Sequence, residues 1–222
     1  MGRAHDHHSG AMAGGESDSM SDSVADKERN SVINTVLIAY VIVFLLSIIF
    51  LVVSVKKKTG VFPIARNTRG VYGFVDKVVL LSYVLVIGNV VLYVMNEVSV
   101  YEFADILAVK IAGVVVAGIG LVCMFIAQRQ MGKNWRIGID QEHTTDIVDT
   151  GLFRCARHPI YLFAVVITIG MILVIPSISS IAILVLLWVA LSVQARLEEE
   201  FFLEKHGEPY QRFMETRKRW FS

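Results

Sequence analysis

The chain has 222 residues, 55% of them hydrophobic and only 18% charged. That balance exceeds what a soluble core needs and excludes a soluble enzyme as a first reading. Net charge is +1, from 21 basic against 20 acidic residues, so no global field recruits nucleic acid and any useful charge is local.

The first thirty residues are rich in Gly, Ser and Asp without apolar periodicity. They cannot bury enough surface to offset ordering entropy, so a disordered tail is expected over 1–30. His5, His7 and His8 read as part of an expression tag or tail rather than a metal site. Residues 32–55 form an uncharged apolar run of 24 residues, enough to cross a hydrocarbon core of about 30 Å. A second span is expected over 74–95, with Asp76 and Lys77 at its entrance, and a third over 106–127, with Lys110 near one end. Residues 160–193 are 34 positions without a formal charge, about 51 Å as one helix and too long for one crossing. Pro176 and the serines around it supply a break, so this run predicts a tight hairpin. The expected fold is all-α and polytopic with five transmembrane helices. Its parts are the tail, three N-terminal spans over 31–127, and a catalytic region over 128–222.

Basic residues set the orientation, because Lys and Arg are retained on the cytoplasmic side. Residues 56–77, the loop after the third span and the stretch after Gln194 hold 17 of the 21. Among them are Lys56, Lys57, Lys58, Arg66 and Arg69, whereas the 96–105 loop carries Glu97, Glu102 and Asp105. These three segments are expected at the cytoplasmic face, with the N-terminus outside and the protein in the lipid bilayer, in a cell (inner) membrane. Cys123 and Cys155 form no framework and read as free thiols; no metal is expected. Trp135, Trp188 and Trp220 read as interfacial anchors.

The chemistry concentrates in two segments flanking the hairpin, 128–159 and 194–222, whose ends meet at one membrane face. Four elements occur there in order: Gly132-Lys133-Asn134-Trp135, Val148-Asp149-Thr150-Gly151-Leu152-Phe153, Arg157-His158-Pro159-Ile160-Tyr161, and Glu198-Glu199-Glu200 ahead of Gly207-Glu208-Pro209-Tyr210. On its own His158 could cap a helix, with Pro159 as an ordinary helix-start residue, and the glutamates could be a solvated face.

Together, over residues 125–221, these elements resemble the isoprenylcysteine carboxyl methyltransferases and related phospholipid methyltransferases, integral membrane enzymes that use S-adenosylmethionine. The resemblance implies a cofactor pocket at the cytoplasmic end of the hairpin, and no Gly-x-Gly-x-x-Gly follows a strand here to suggest a Rossmann domain. By position it implies that Thr145, Asp146, Ile147 and Val148 line the cofactor, with Phe153 nearby and His158, Pro159, Ile160 and Tyr161 as a wall. Glu198 would bind the cofactor's cationic end or ribose, and Arg196 and Glu199 are the implied catalytic residues. The glutamate triple allows a one-residue shift of that assignment. An arginine that clamps a substrate carboxylate in the carboxyl methyltransferases falls at Gln194 here, while the arginine present is Arg196. The implied activity is methyl transfer to a lipophilic or small acceptor bearing a carboxylate, thiol or amine. Gly118-Ile119-Gly120 resembles a membrane Gly-x-Gly of the phospholipid enzymes, or simply lets helices pack closely. The alternatives are a sterol-type membrane reductase, whose NADPH would need a basic cluster such as Arg154, Arg157 and Arg196, and a non-catalytic scaffold.

Overall fold

The computed structural model describes residues 10–65, 70–101, 106–139 and 145–221, with side chains from residue 24 onward. His5, His7, His8, Arg66, Arg69, Glu102 and Asp105, which entered the tag and orientation arguments, lie outside the described residues. The helices are α1 (Gly10–Thr59), α2 (Gly70–Val94), α3 (Leu107–Met131), α4 (Pro159–Val174), α5 (Ile178–His206) and α6 (Glu208–Thr216), with short 3₁₀ turns at Gly132–Asn134 and Gly151–Arg154. Among the described residues the only extended pairing is an isolated bridge between Ile64 and Ile137.

The helix over the first apolar run starts earlier than composition suggests, since α1 is helical from Gly10. Extending an established helix costs far less than nucleating one. Residues 26–32 are exposed, with Asn30 Oδ1 accepting from Lys110 Nζ of α3 at 3.4 Å. Among the described residues four helices are long and apolar enough to cross a membrane, over Val24–Thr59, Gly70–Val94, Leu107–Asn134 and Ile178–His206. The break at Pro176 cuts the 160–193 run near its middle, yet the two helices differ in length. α4 keeps 16 residues, about 24 Å, while α5 continues through the polar stretch to His206. Ser177 caps α5 by accepting from the Ser180 N–H at 3.2 Å, and Gly207, at φ +60°, ends it. Large apolar side chains point outward all along the spans, Leu80, Val84, Ile111, Ile119 and Val185 among them, Ile119 at 58% exposure. In water such a surface would be a liability; in hydrocarbon it is the expected exterior.

Inside, α3 and α4 approach closely at glycines. A Cβ on Gly113 would stand 2.6 Å from the Gly170 carbonyl oxygen, and one on Gly170 would stand 2.6 Å from the Ala117 nitrogen. Gly120 faces Ile167 and Gly118 faces Tyr40 of α1, so the Gly-x-Gly of α3 is occupied with helix packing. Ile33, Leu37, Val90, Ala117 and Val174 form a core near one end; Leu121, Met124, Ala164, Leu187 and Leu191 form a second. Asn89 is buried in a satisfied network with Ser179 and Ser180, tying α2 to the hairpin tip. Trp135 is not an anchor: it is 4% exposed and packs on Leu51 and Val55. The other end gathers the basic segments, where Ala65 N–H donates to Ile137 O at 2.8 Å and Ile137 N–H to Pro63 O at 2.9 Å.

Candidate active site at the basic end of the bundle

At this end a cavity opens between the turn after α3, residues 145–148, the start of α4, the last turns of α5, and α6. Its empty volume is about 980 Å³, open mouth included. Phe153, Phe201, Phe202, Tyr210 and Phe213 give it aromatic walls, and Glu198, His158 and Asp146 give it charge.

Local sequence explains how each wall is held. Gly151 has φ +59°, and any Cβ there would collide with Gln130, whose Oε1 accepts from the Leu152 N–H at 2.8 Å. That turn buries Phe153. Asn134 accepts from the Asp146 N–H at 3.1 Å and anchors the irregular 145–148 strip. The Lys133 ammonium, 3.0 Å from the Asp146 carboxylate, donates a hydrogen bond that holds this carboxyl below its usual range, and its charge adds to the effect. Pro159 opens α4 without wasting an N–H, leaving His158 at the helix entrance against α5.

His158 sits between two carboxylates. Its Nε2 is 3.2 Å from Glu199 Oε1 and its Nδ1 is 3.4 Å from Glu198 Oε2. Burial alone would disfavour the imidazolium; hydrogen bonds and charge from both glutamates outweigh it and raise the His158 pKa above its ordinary value. The Tyr161 hydroxyl donates to Glu198 Oε1, and its ring stacks on His158 at 5.5 Å. Gln194, 2% exposed, donates from Nε2 to Asp76 Oδ1 at 3.2 Å and to Glu198 Oε1 at 3.4 Å. Gly138, at φ +77°, brings backbone against the Asp76 carboxylate, where a Cβ would come within 2.8 Å of Oδ2.

Glu199 is 4% exposed and takes both edges of the Arg219 guanidinium, from Nε at 3.0 Å and Nη2 at 2.5 Å. Arg157 Nε lies 3.2 Å from the same carboxylate but lacks hydrogen-bond alignment, so that contact is ionic.

Thr145, Asp146, Ile147, Val148, Phe153, His158, Pro159, Ile160, Tyr161 and Glu198 all line this one cavity. Glu199 lies behind His158 and does not line it, and Arg196 is exposed. Three participants carried no readable signal. Asp76 looked like a span-entrance charge. Gln194 stood out only as a missing arginine. Arg219 lay in a basic run that reads as a lipid contact.

A bundle of apolar helices with a charged, aromatic cavity at one end has the architecture of an integral membrane protein. Residues 108–208 match the family model for phospholipid methyltransferase, which agrees with the resemblance carried by the motifs. With the apolar helices, the match points to an integral membrane methyltransferase. No curated protein matches the chain.

Proposed function

We propose that the chain is an S-adenosylmethionine-dependent methyltransferase of a cell membrane, with the cofactor in the basic-end cavity and a lipophilic acceptor arriving from the bilayer. The observation that carries this reading is the convergence of residues separated by more than fifty positions, from Thr145 to Glu198, on one aromatic cavity that carries charge of both signs. The donor set suits the cofactor: aromatic rings for a purine, irregular backbone over 145–148 for polar edges, and Glu198 for ribose hydroxyls or a cation. When bound, S-adenosylmethionine supplies an electrophilic methyl on a cationic sulfur, open to in-line displacement.

The protein's part is to align, desolvate and move a proton. Alignment of the reacting atoms supplies several kcal/mol of the barrier, on the order of the entropy it removes in advance. His158 has both ring nitrogens turned to carboxylates, at 3.2 and 3.4 Å, so neither is aimed at an acceptor in the cavity. The proton released by an amine acceptor therefore goes to Glu198, a carboxylate that lines the cavity. A carboxylate acceptor fits poorly. Where an arginine would clamp it stands Gln194, whose amide is shared between the Asp76 and Glu198 carboxylates, and like charge would repel it. An amine on a lipid-like molecule meets attraction at the same place, and the matched family's name accords with a lipid acceptor.

In this reading the acceptor's hydrocarbon lies among α1–α4. A second cavity there, of about 540 Å³ with its mouth included, is lined by Tyr40, Phe44, Tyr83, Met124 and Ala164. The full topology in this reading has five crossings, α4 being the short one, with the basic end at the cytoplasm. A nicotinamide reductase fits less well, because Arg154 and Arg196 are exposed and outside the cavity and Arg157 is committed to Glu199. The test is a methyl-transfer assay with labelled S-adenosylmethionine, a lipid extract and farnesylcysteine analogues. Label entering amine lipids supports the reading. Efficient labelling of the prenylcysteine, abolished by Arg196→Ala, would restore a carboxylate acceptor.

A further inference from the structure

The last described residues, 217–221, lie beyond the family match and beyond every motif, yet they fold back across the start of α4. The Arg157 N–H donates to Lys218 O at 3.0 Å and the His158 N–H to Arg219 O at 3.3 Å. The Arg157 side chain returns a bond to Met214 O at 3.3 Å. The Trp220 ring packs 4.9 Å from Trp188 and 6.3 Å from His158. A segment held only by lipid attraction would present its arginines to headgroups, but the Arg219 fork is spent on Glu199.

We infer that residues 218–220 are a strap that positions the cavity wall, with Arg219 acting through Glu199 on His158 and the strap carbonyls fixing the backbone at 157–158. The inference rests on the reading of the cavity as the cofactor site. Arg219 touches no cavity surface, so it is a positioning residue and not a catalytic one. Its two-pronged contact fixes the plane of the Glu199 carboxylate, which a point-charge ammonium cannot do. That carboxylate in turn fixes the Nε2 side of the His158 ring. Arg157 supplies charge to Glu199 without hydrogen-bond alignment and does not replace the fork.

The test uses the full chain in detergent and two readouts. The first needs no ligand: amide hydrogen exchange of the peptide containing Arg157 and His158. Arg219→Ala should speed exchange there about tenfold or more, with α3 unchanged, as expected for local opening; Arg219→Lys should fall between, and Trp220→Phe should shift in the same direction. The second is affinity for S-adenosylhomocysteine by calorimetry. Arg219→Ala should weaken it about tenfold, yet add less than about twofold when placed on Glu199→Gln, because the two act as one unit. Unchanged exchange at 157–158, equal acceleration throughout the protein, or additive affinity losses would overturn the strap. If Arg219→Ala does not fold, Arg219→Lys and Trp220→Phe decide by the same criteria. Local acceleration in a protein that binds no S-adenosyl ligand would leave the strap standing and refute the cofactor reading alone.

Discussion

Glu198 lends itself to a substitution that separates charge from shape. Its Oε1 accepts from Tyr161 and, at 3.4 Å, from Gln194, while Oε2 faces His158 Nδ1 at 3.4 Å. Glu198→Gln keeps a carbonyl for Tyr161 but removes the negative charge and points an amide donor at the imidazolium. A hydrogen bond to a charged group is worth about 1.5–3 kcal/mol, so affinity for the cationic S-adenosylmethionine should fall roughly 10- to 150-fold. S-adenosylhomocysteine has a neutral thioether and should lose only the part due to wall distortion, about tenfold or less on the scale of a neutral hydrogen bond. Calorimetric titration of both ligands, with thermal melting to confirm folding, gives the ratio. Equal losses for the two ligands would refute a contact with the sulfonium and leave Glu198 on a group both share, the ribose or the α-ammonium, and wild-type affinity for both would move the cofactor elsewhere.

Other outcomes follow from the same geometry. His158→Ala should weaken S-adenosylmethionine by about 1–3 kcal/mol in a protein that still folds, again by calorimetry. His158 is held above its ordinary 6.5, so its contribution to stability is complete below pH 6.5 and is lost as pH rises through the higher folded value. The melting-temperature gap between wild type and His158→Asn should therefore narrow as pH rises, and a gap that widens would contradict the ion contacts. Gly170→Val drives a side chain into Ala117 and should cost about 1–3 kcal/mol of stability, whereas Gly88→Ala, which meets nothing within 4 Å, should melt close to wild type. Cysteines introduced at 56–60 should label only from the cytoplasm, and labelling from both sides would refute the orientation.

Much of the fold was legible because membrane spans are written in long apolar runs. The run at 32–55 falls within α1, and those at 74–95 and 106–127 fall within α2 and α3 but for one residue each, Met95 and Ile106. The unequal lengths of the two hairpin helices were less visible, since nothing in the local sequence says how far past Gln194 the second helix runs before Gly207 ends it. The ten residues that share the cavity were reachable only through the family resemblance that the ordered motifs carry. Asp76 and Arg219 were not, because each makes one long-range contact from a segment whose local sequence explains itself another way. Trp135 shows the same limit: an aromatic near a span end reads as an anchor, and only tertiary packing on Leu51 and Val55 reveals a core residue.

The central claim is that the basic-end cavity holds S-adenosylmethionine, and direct binding tests it most plainly. Detergent-purified protein titrated with S-adenosylmethionine, S-adenosylhomocysteine and NADPH should bind the first two with one-to-one stoichiometry and not the third, with S-adenosylmethionine binding impaired by Glu198→Gln. Binding of NADPH, or of none of the three, would contradict the account.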